Sequence, residues 1–170
     1  MRDPKHCRQI SDVDWERFEP TDVATLLFIL EAERVLLIRK KRGLGAGKIN
    51  APGGRLEPGE TPEAAAVRET QEEVGVTPAD PVSRGTVTFL FTNGYKLRAH
   101  LFVAERFTGT LRETDEAIPL WFPRSALPYG EMWADDALWL PHVLAGLSVE
   151  GRFIFDEDSM LAHDVSVVTS

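Results

Sequence analysis

Cysteine is almost absent from this chain of 170 residues, in which Cys7 is the single one. One thiol excludes an intrachain disulfide and indicates a reducing compartment. The chain also lacks an apolar run long enough to cross a membrane, and residues 1–10 lack the apolar stretch of a secretory signal. These absences predict a cytoplasmic protein with no membrane partner.

A surplus of positive charge is missing as well. The chain has 19 Lys and Arg against 27 Asp and Glu, a formal net charge of −8. Binding to a long nucleic acid requires a basic surface that releases counterions, so we expect no nucleic acid polymer as a partner. The acidic balance favours a cation site slightly, although simple solubility is the plainer explanation. Length and an apolar content of 43% indicate one ordinary globular domain.

The pattern of apolar residues predicts a mixture of strands and helices. Residues 1–20 are polar and are interpreted as a loose arm or an extra flap. The following segments are predicted to be strands: Val23–Leu30, Val35–Arg39, Thr86–Phe91, Leu97–Phe107, Ile118–Phe122, Arg152–Phe155 and Val165–Val168. Because strands and helices do not alternate strictly, the fold class is α+β or a layered sandwich.

Two segments have helical character. Thr61 suits an N-cap and Pro62 the first helical position, so a helix is predicted from there to Val74, with Gly75 as its stop. A second helix is predicted over Asp135–Leu147. Pro141 lies inside it and removes a backbone hydrogen bond, which predicts a kink or a late restart.

Three glutamates stand out in the first helix. Glu69, Glu72 and Glu73 occupy positions i, i+3 and i+4, so their carboxylates share one helix face. Like charges at this spacing repel, and a divalent cation such as Mg²⁺, which prefers oxygen ligands, would offset the repulsion. Such a cation could also hold phosphate oxygens and activate water. The spacing alone leaves a solvated acidic face equally plausible.

The segment Gly54–Val76 resembles the signature box of the Nudix hydrolase family, G-x5-E-x7-R-E-U-x-E-E-x-G-U. The matching residues are Gly54, Glu60, Arg68, Glu69, Glu72, Glu73, Gly75 and Val76. Thr70 departs from the pattern at an apolar position. The resemblance implies an α/β/α sandwich around a mixed central sheet, with residues 21–170 as one Nudix domain and residues 1–20 as an N-terminal extension.

The resemblance also implies roles for residues of the box. Glu69, Glu72 and Glu73 would bind Mg²⁺, with Mn²⁺ as a substitute, and the backbone carbonyl of Gly53 would join them. Arg68 would hold a catalytic glutamate, and Glu60 would brace the turn before the helix. Outside the box, Glu116 precedes a strand and would reach the metal or act as general base, unless it is an ordinary surface charge.

The stretches Lys40–Asn50 and Met132–Trp139 resemble the MutT-like branch of the family, which acts on oxidised purine nucleotides. This resemblance covers roughly residues 22–168 and implies a set of substrate-binding residues, for several of which core packing is the alternative. They are Thr25, Lys40, Asn50, Phe89, Phe91, Leu97, Trp133, Asp135, Asp136 and Trp139. The chain departs from the branch at Leu44, Ile49 and Ala134, which affects the shape of the pocket.

Two adjacent carboxyl groups, Asp135 and Asp136, are expected to read the purine. In an apolar pocket, desolvation and mutual repulsion would raise the pKa of at least one of them. One group would then donate a hydrogen bond while the other accepts, and an exchange of protonation would admit different purines. The alternative is that Asp135 caps the following helix.

The function expected from these features is hydrolysis of modified purine nucleoside triphosphates to the monophosphate and pyrophosphate. Expected substrates are 8-oxo-dGTP and 2-hydroxy-dATP, with O6-methyl-dGTP as a further candidate. One alternative is a Nudix hydrolase of another substrate, such as ADP-ribose, a dinucleotide polyphosphate or a pterin triphosphate. Another is a module that binds a nucleotide without cleaving it. The chain is expected to be a monomer or a homodimer.

Overall fold

A computed structural model of the protein describes residues 2–168 and contains eleven strands and two α-helices within them. The strands are β1 (Asp22–Glu31), β2 (Arg34–Lys40), β3 (Ile49–Asn50), β4 (Gly53–Arg55), β5 (Val76–Ala79), β6 (Val82–Phe91), β7 (Lys96–Ala104), β8 (Arg106–Gly109), β9 (Ala117–Pro123), β10 (Ser148–Asp156) and β11 (Ser159–Val168). The helices are α1 (Pro62–Val74) and α2 (Asp136–Leu144).

The main sheet is mixed and has nine strands in the described residues. Its principal order is β11-β10-β6-β7-β1-β2-β3, with β4 paired to β1 and β9 to β2. β1 runs parallel to β7 and antiparallel to β2 and β4, and β10 runs parallel to β6. Strands β5 and β8 form a separate two-stranded sheet.

Alternation along the strands gives the sheet two apolar faces. On β1, Leu27 and Ile29 point to a cluster that contains Ala66 and Val74 of α1. Phe28 and Leu30 point the other way, to a larger cluster that contains Trp139 and Leu140 of α2. Since successive side chains of a strand alternate between faces, the two helices cover opposite sides, and the predicted α+β sandwich is confirmed.

The N-terminal segment is packed against the sheet. Its three short 3₁₀ turns bring Cys7, Val13 and Phe18 against Leu90 of β6 and Ile154 of β10. Of the two interpretations of this segment, the loose arm is wrong because these apolar side chains are buried, and the extra flap is the one that agrees with the packing. From residue 2 onwards, the segment covers one face of β6 and β10. The opposite face of these strands contributes to the large apolar cluster that α2 covers.

Several element boundaries also differ from the sequence prediction. The predicted strand Leu97–Phe107 is interrupted at Glu105, after which β8 joins the small sheet. Helix α2 continues through Pro141 without a restart and ends at Leu144, three residues before the predicted end. Short strands β3, β4 and β5 carried no period-2 signal and were not predicted. Among residues 2–168, no helix combines the length and apolar character needed to span a membrane.

Candidate active site

Helix α1 presents acidic side chains to a cleft beside β1 and β4. The helix begins as predicted, because Thr61 Oγ1 accepts a hydrogen bond from Ala64 N at 3.2 Å. Oxygens of Glu69, Glu73 and Glu116 lie within 4.8 Å of one another. Glu116 comes from the loop before β9, so the cluster joins residues that are more than 40 positions apart in sequence.

Glu73 is the most buried acid of this cluster, at 5% exposure. Its Oε2 accepts a hydrogen bond from Gly53 N at 3.4 Å. Burial, followed by the nearby charge of Glu69, raises the pKa of Glu73 to about 8, and burial likewise raises the pKa of Glu69. Burial thus outweighs the positive charge of Arg68, which lowers the pKa of Glu69, and that of Lys40, which lowers the pKa of Glu73.

Arg68 organises the outer side of the cluster. Its guanidinium donates to both carboxylate oxygens of Glu60, at 2.8 and 2.9 Å, and to Glu69 at 3.0 Å. These hydrogen bonds hold the pKa of Glu60 at about 2. Arg68 also donates to Glu72 at 3.2 Å. The geometry fixes Glu69 in the orientation that faces Glu73.

The structure does not place Glu72 with the other two helix glutamates. Its side chain is 51% exposed and lies beside Arg68, and it is absent from the cluster of converging oxygens. The i, i+3, i+4 spacing places the three residues on one face of the helix. That face is wide, so one part of it borders the cleft and another part is exposed to solvent. Among the three, only Glu69 and Glu73 reach the cleft directly.

The acid cluster fits a divalent cation. Three carboxylates converge there and offer the oxygen ligands that a divalent cation such as Mg²⁺ prefers. Gly54 leaves the space they need, since a Cβ at this position would lie 2.5 Å from Glu69 Cδ. The residues that would hold the cation are Glu69, Glu73 and Glu116, and Gly53 lies beside them on the cleft wall.

The same cleft continues into an apolar pocket between β1, β6 and β7. Its enclosed volume is about 120 Å³, and it opens to solvent at the mouth. All but one of the predicted substrate-binding residues line it: Thr25, Lys40, Asn50, Phe89, Phe91, Leu97, Trp133, Asp135 and Asp136.

Trp139 is the exception. Its ring is fully buried, with 0% exposure, and its Nε1 donates to Asp135 Oδ2 at 2.8 Å. The predicted direct substrate contact is therefore corrected, because the indole lies behind the wall of the pocket and holds a carboxyl group that is part of it. The i, i+4 spacing of Asp135 and Trp139 on a helical turn explains the contact.

Asp135 and Asp136 are buried at 1% and 3% exposure. Asp135 makes no side-chain cap to α2, so the capping alternative is wrong. Asp135 Oδ1, Asp136 Oδ2 and Thr25 Oγ1 are buried atoms with no hydrogen-bond partner among the described residues, and all three residues line the pocket. Burial raises the pKa of both carboxyl groups, and the charge of Asp135 adds to the rise at Asp136.

Other wall residues supply an amide and aromatic rings. Asn50 Oδ1 accepts from Ala51 N at 2.9 Å, which leaves the amide nitrogen to donate into the pocket. Trp133 packs edge-on against Phe91 and Phe155, with ring centroids 6.1 and 5.5 Å apart. Phe89 stacks on Phe153 at 5.4 Å, so its ring belongs to both the core and the pocket.

Lys40 connects the two ends of the cleft. Its Nζ donates to Leu44 O at 2.7 Å. Burial lowers the pKa of Lys40, and the negative charge of Glu73 opposes that effect. Lys40 is thus a partly desolvated cation on the wall that separates the acid cluster from the apolar pocket.

Sequence reasoning missed several aliphatic wall residues and the acid beside Trp133. Ala24, Leu26, Ile38, Ala51 and Ala99 line the pocket but are ordinary strand residues in sequence. Asp158 lies 3.5 Å from Lys48 near the ring of Trp133. No local signal marks Asp158, since it approaches the cleft only through the pairing of β10 with β11.

Comparison with known proteins agrees with the site. The NUDIX domain matches residues 20–143. The chain is 38% identical over 148 residues to the oxidized purine nucleoside triphosphate hydrolase of Mus musculus and 42% identical over 144 residues to that of Danio rerio, covering 95% and 89% of those proteins and 86% and 84% of this chain. A mutator MutT protein from Bacillus halodurans superposes with a TM-score of 0.77 at 26% identity, over 85% of this chain and 97% of that one. The chain therefore belongs to the Nudix family and is a hydrolase that acts on pyrophosphate bonds.

Proposed function

We propose that this hydrolase cleaves oxidised purine nucleoside triphosphates to the monophosphate and pyrophosphate and so clears them from the nucleotide pool. The observation that carries the proposal is the set of buried atoms without partners, Thr25 Oγ1, Asp135 Oδ1 and Asp136 Oδ2, around one apolar pocket. Buried polar atoms are costly unless a partner satisfies them. A purine edge with several donors and acceptors supplies such partners, and the names of the two vertebrate relatives agree with this substrate class.

Base recognition rests on the two aspartates. A carboxyl group that stays protonated near neutral pH donates a hydrogen bond, and its ionised neighbour accepts one. Because burial raises the pKa of both Asp135 and Asp136, either carboxyl group can carry the proton while the other is ionised. Exchange of the proton between them lets one pocket accept 8-oxo-dGTP or 2-hydroxy-dATP, whose edges differ in donors and acceptors. Asn50 donates from its amide, and Trp133 offers a ring for stacking.

The triphosphate occupies the acidic end of the cleft. There Glu69, Glu73 and Glu116 hold Mg²⁺, for which Mn²⁺ can substitute, together with the backbone of Gly53. The metal, when bound, supplies charge stabilisation at phosphate oxygens and lowers the pKa of water. Arg68 keeps Glu69 in place, and Lys40 offers positive charge to the phosphates. Glu116, which pairs with Arg42 at 3.0 Å, would accept a proton from water. Hydrolysis then depends mainly on positioning and charge stabilisation, as in other phosphoryl transfers.

A substrate panel tests this proposal. Pyrophosphate release is measured with Mg²⁺ for 8-oxo-dGTP, 2-hydroxy-dATP, O6-methyl-dGTP, dGTP and ADP-ribose, the last followed by release of AMP. We expect kcat/KM for the oxidised purines to exceed that for dGTP by about 10-fold or more, since one satisfied buried group is worth about 1.4 kcal/mol or more. Faster turnover of ADP-ribose, or equal turnover of dGTP, contradicts the proposal.

We also propose that the protein is a monomer or a homodimer and that it acts in a reducing, cytoplasmic compartment.

A further inference from the structure

The loop between β2 and β3 lies against Trp133. A backbone hydrogen bond from Lys48 N to Gly45 O, 2.9 Å long, closes a tight turn in it. Gly45 has a φ of +79°, and a Cβ there would lie 2.7 Å from Trp133 Nε1. The glycine therefore allows the loop backbone to approach the indole closely, which a larger residue would prevent.

Lys48 ends this loop, and its ammonium group lies near both an aromatic ring and a carboxylate. Its Nζ lies 5.2 Å from the centroid of the Trp133 ring. It also lies 3.5 Å from Oδ2 of Asp158, in the turn between β10 and β11. Both the loop and the turn thus reach Trp133 from separate parts of the chain, and the ammonium group joins them.

The turn that carries Asp158 is itself fixed. Thr92 N donates to Phe155 O at 2.9 Å, and Thr92 Oγ1 bonds Asp156 Oδ1 at 2.6 Å. Phe155 packs edge-on against Trp133 at 5.5 Å. Asp158 therefore belongs to a turn that is hydrogen-bonded to Thr92 and lies beside the indole, where Lys48 meets it.

We propose that Lys48 is a positioning residue for the purine, which clamps the β2–β3 loop to the β10–β11 turn and thereby holds the Trp133 ring for stacking. This rests on the proposed function, because it assigns the stacking platform of the same pocket. A cation within about 6 Å of an indole face is attracted to it by about 0.5–1 kcal/mol at an exposed site. The base would stack on the part of the ring that lines the pocket.

A phosphate contact is the competing role for a lysine in this loop. The charge of Lys40 interacts with Glu73, Glu116 and Glu69, which places Lys40 at the phosphate end. Lys48 instead contacts the aromatic ring and a carboxylate. A phosphate-binding role predicts that removal of Asp158 strengthens triphosphate binding, since Lys48 then loses its competing partner. The clamp predicts that removal of Asp158 weakens purine binding.

The test uses the full chain with Lys48→Met, Asp158→Asn and the double variant. Binding of the product 8-oxo-dGMP is measured by calorimetry without divalent metal, and kcat and KM are measured for 8-oxo-dGTP with Mg²⁺. We expect Lys48→Met to weaken 8-oxo-dGMP binding about 3–5-fold and to raise KM by a similar factor, with kcat within about 2-fold. Asp158→Asn should weaken binding about 2-fold, and the double variant should be no weaker than Lys48→Met.

An exposed ion pair outside the cleft provides the control. Arg106 and Asp80 lie 2.6 Å apart in the small sheet, and Arg106→Met and Asp80→Asn should leave binding unchanged. Unchanged 8-oxo-dGMP binding in Lys48→Met, or tighter triphosphate binding in Asp158→Asn, overturns the clamp. If the wild-type protein binds 8-oxo-dGMP and dGMP equally, the proposed substrate class fails. The clamp is then judged on dGMP, where a 3–5-fold loss supports it and no loss overturns it.

Discussion

The two ends of the cleft surround their carboxyl groups differently. At one end, Glu69 and Glu73 converge with Glu116 within 4.8 Å and are braced from outside by Arg68. At the other end, Asp135 and Asp136 lie in an apolar wall with no arginine or lysine paired to them among the described residues. The first arrangement suits a cation, and the second suits a neutral ligand with hydrogen-bonding edges. We therefore expect the surroundings of each acid to set its role.

We expect Glu73→Gln to give the largest difference between the effect on catalysis and the effect on base binding. The change removes a charged oxygen from the acid cluster, so kcat should fall by about 100-fold or more. Binding of 8-oxo-dGMP without metal should change by less than about 2-fold, because Glu73, although it borders the cleft, is not one of the groups proposed to bind the base. Kinetics and calorimetry on the same preparation measure both. Glu63→Gln, in the first turn of α1, is the matched control and should retain full activity.

Asp136→Asn should give the opposite pattern. It leaves the acid cluster intact but replaces one member of the buried pair, so kcat/KM for 8-oxo-dGTP should fall about 10–100-fold. The effect should reside mainly in KM and in weaker 8-oxo-dGMP binding. A variant that loses kcat but binds the monophosphate normally would show that this carboxyl group acts on the phosphate chain instead.

Glu72→Gln sharpens the comparison within the box. Glu72 lies beside Arg68 and outside the converging oxygens, so it acts on the cluster only by helping to position Arg68. We expect a loss in kcat of about 10-fold, the scale of a supporting partner of a metal site, and clearly less than for Glu73→Gln. Equal losses in the two variants would mean that Glu72 moves into the cluster when metal binds.

The smallest expected effect is on stability. Burial raises the pKa of Asp136 in the folded state above its unfolded value near 3.8. The folded protein then holds a proton that the unfolded chain has released, so the stability of the wild-type protein falls as pH rises from about 4. Asp136→Asn removes this penalty.

Thermal unfolding without ligand should detect this difference. The stability of the variant relative to wild type should increase as pH rises above about 4. A difference between the two proteins that does not change with pH would contradict the shift.

The two ends also differ in how well the sequence predicts them. Glu69 and Glu73 belong to one helix, where local spacing fixes which side chains are neighbours, and the helix bounds were predicted correctly. The pocket collects Thr25, Asn50, Phe89 and Asp136 from four separate elements, so only resemblance to relatives could group them.

What failed in the prediction depends on tertiary packing. The burial of Trp139 behind Asp135, the approach of Asp158 to Lys48 and the docking of the N-terminal segment on Leu90 have no local signal. The continuity of α2 through Pro141 was missed for a related reason. The cluster around Trp139, Leu140 and Val143 packs the helix against the sheet on both sides of the proline.

The separate roles of the two ends of the cleft are tested most directly by a ratio of specificity constants. The ratio is kcat/KM for 8-oxo-dGTP divided by kcat/KM for dGTP, and it is measured in the wild-type protein, Glu73→Gln and Asp136→Asn. We predict that Glu73→Gln lowers both rates and leaves the ratio unchanged, whereas Asp136→Asn lowers the ratio about 10-fold or more. A ratio that collapses in Glu73→Gln, or that survives in Asp136→Asn, would contradict the account.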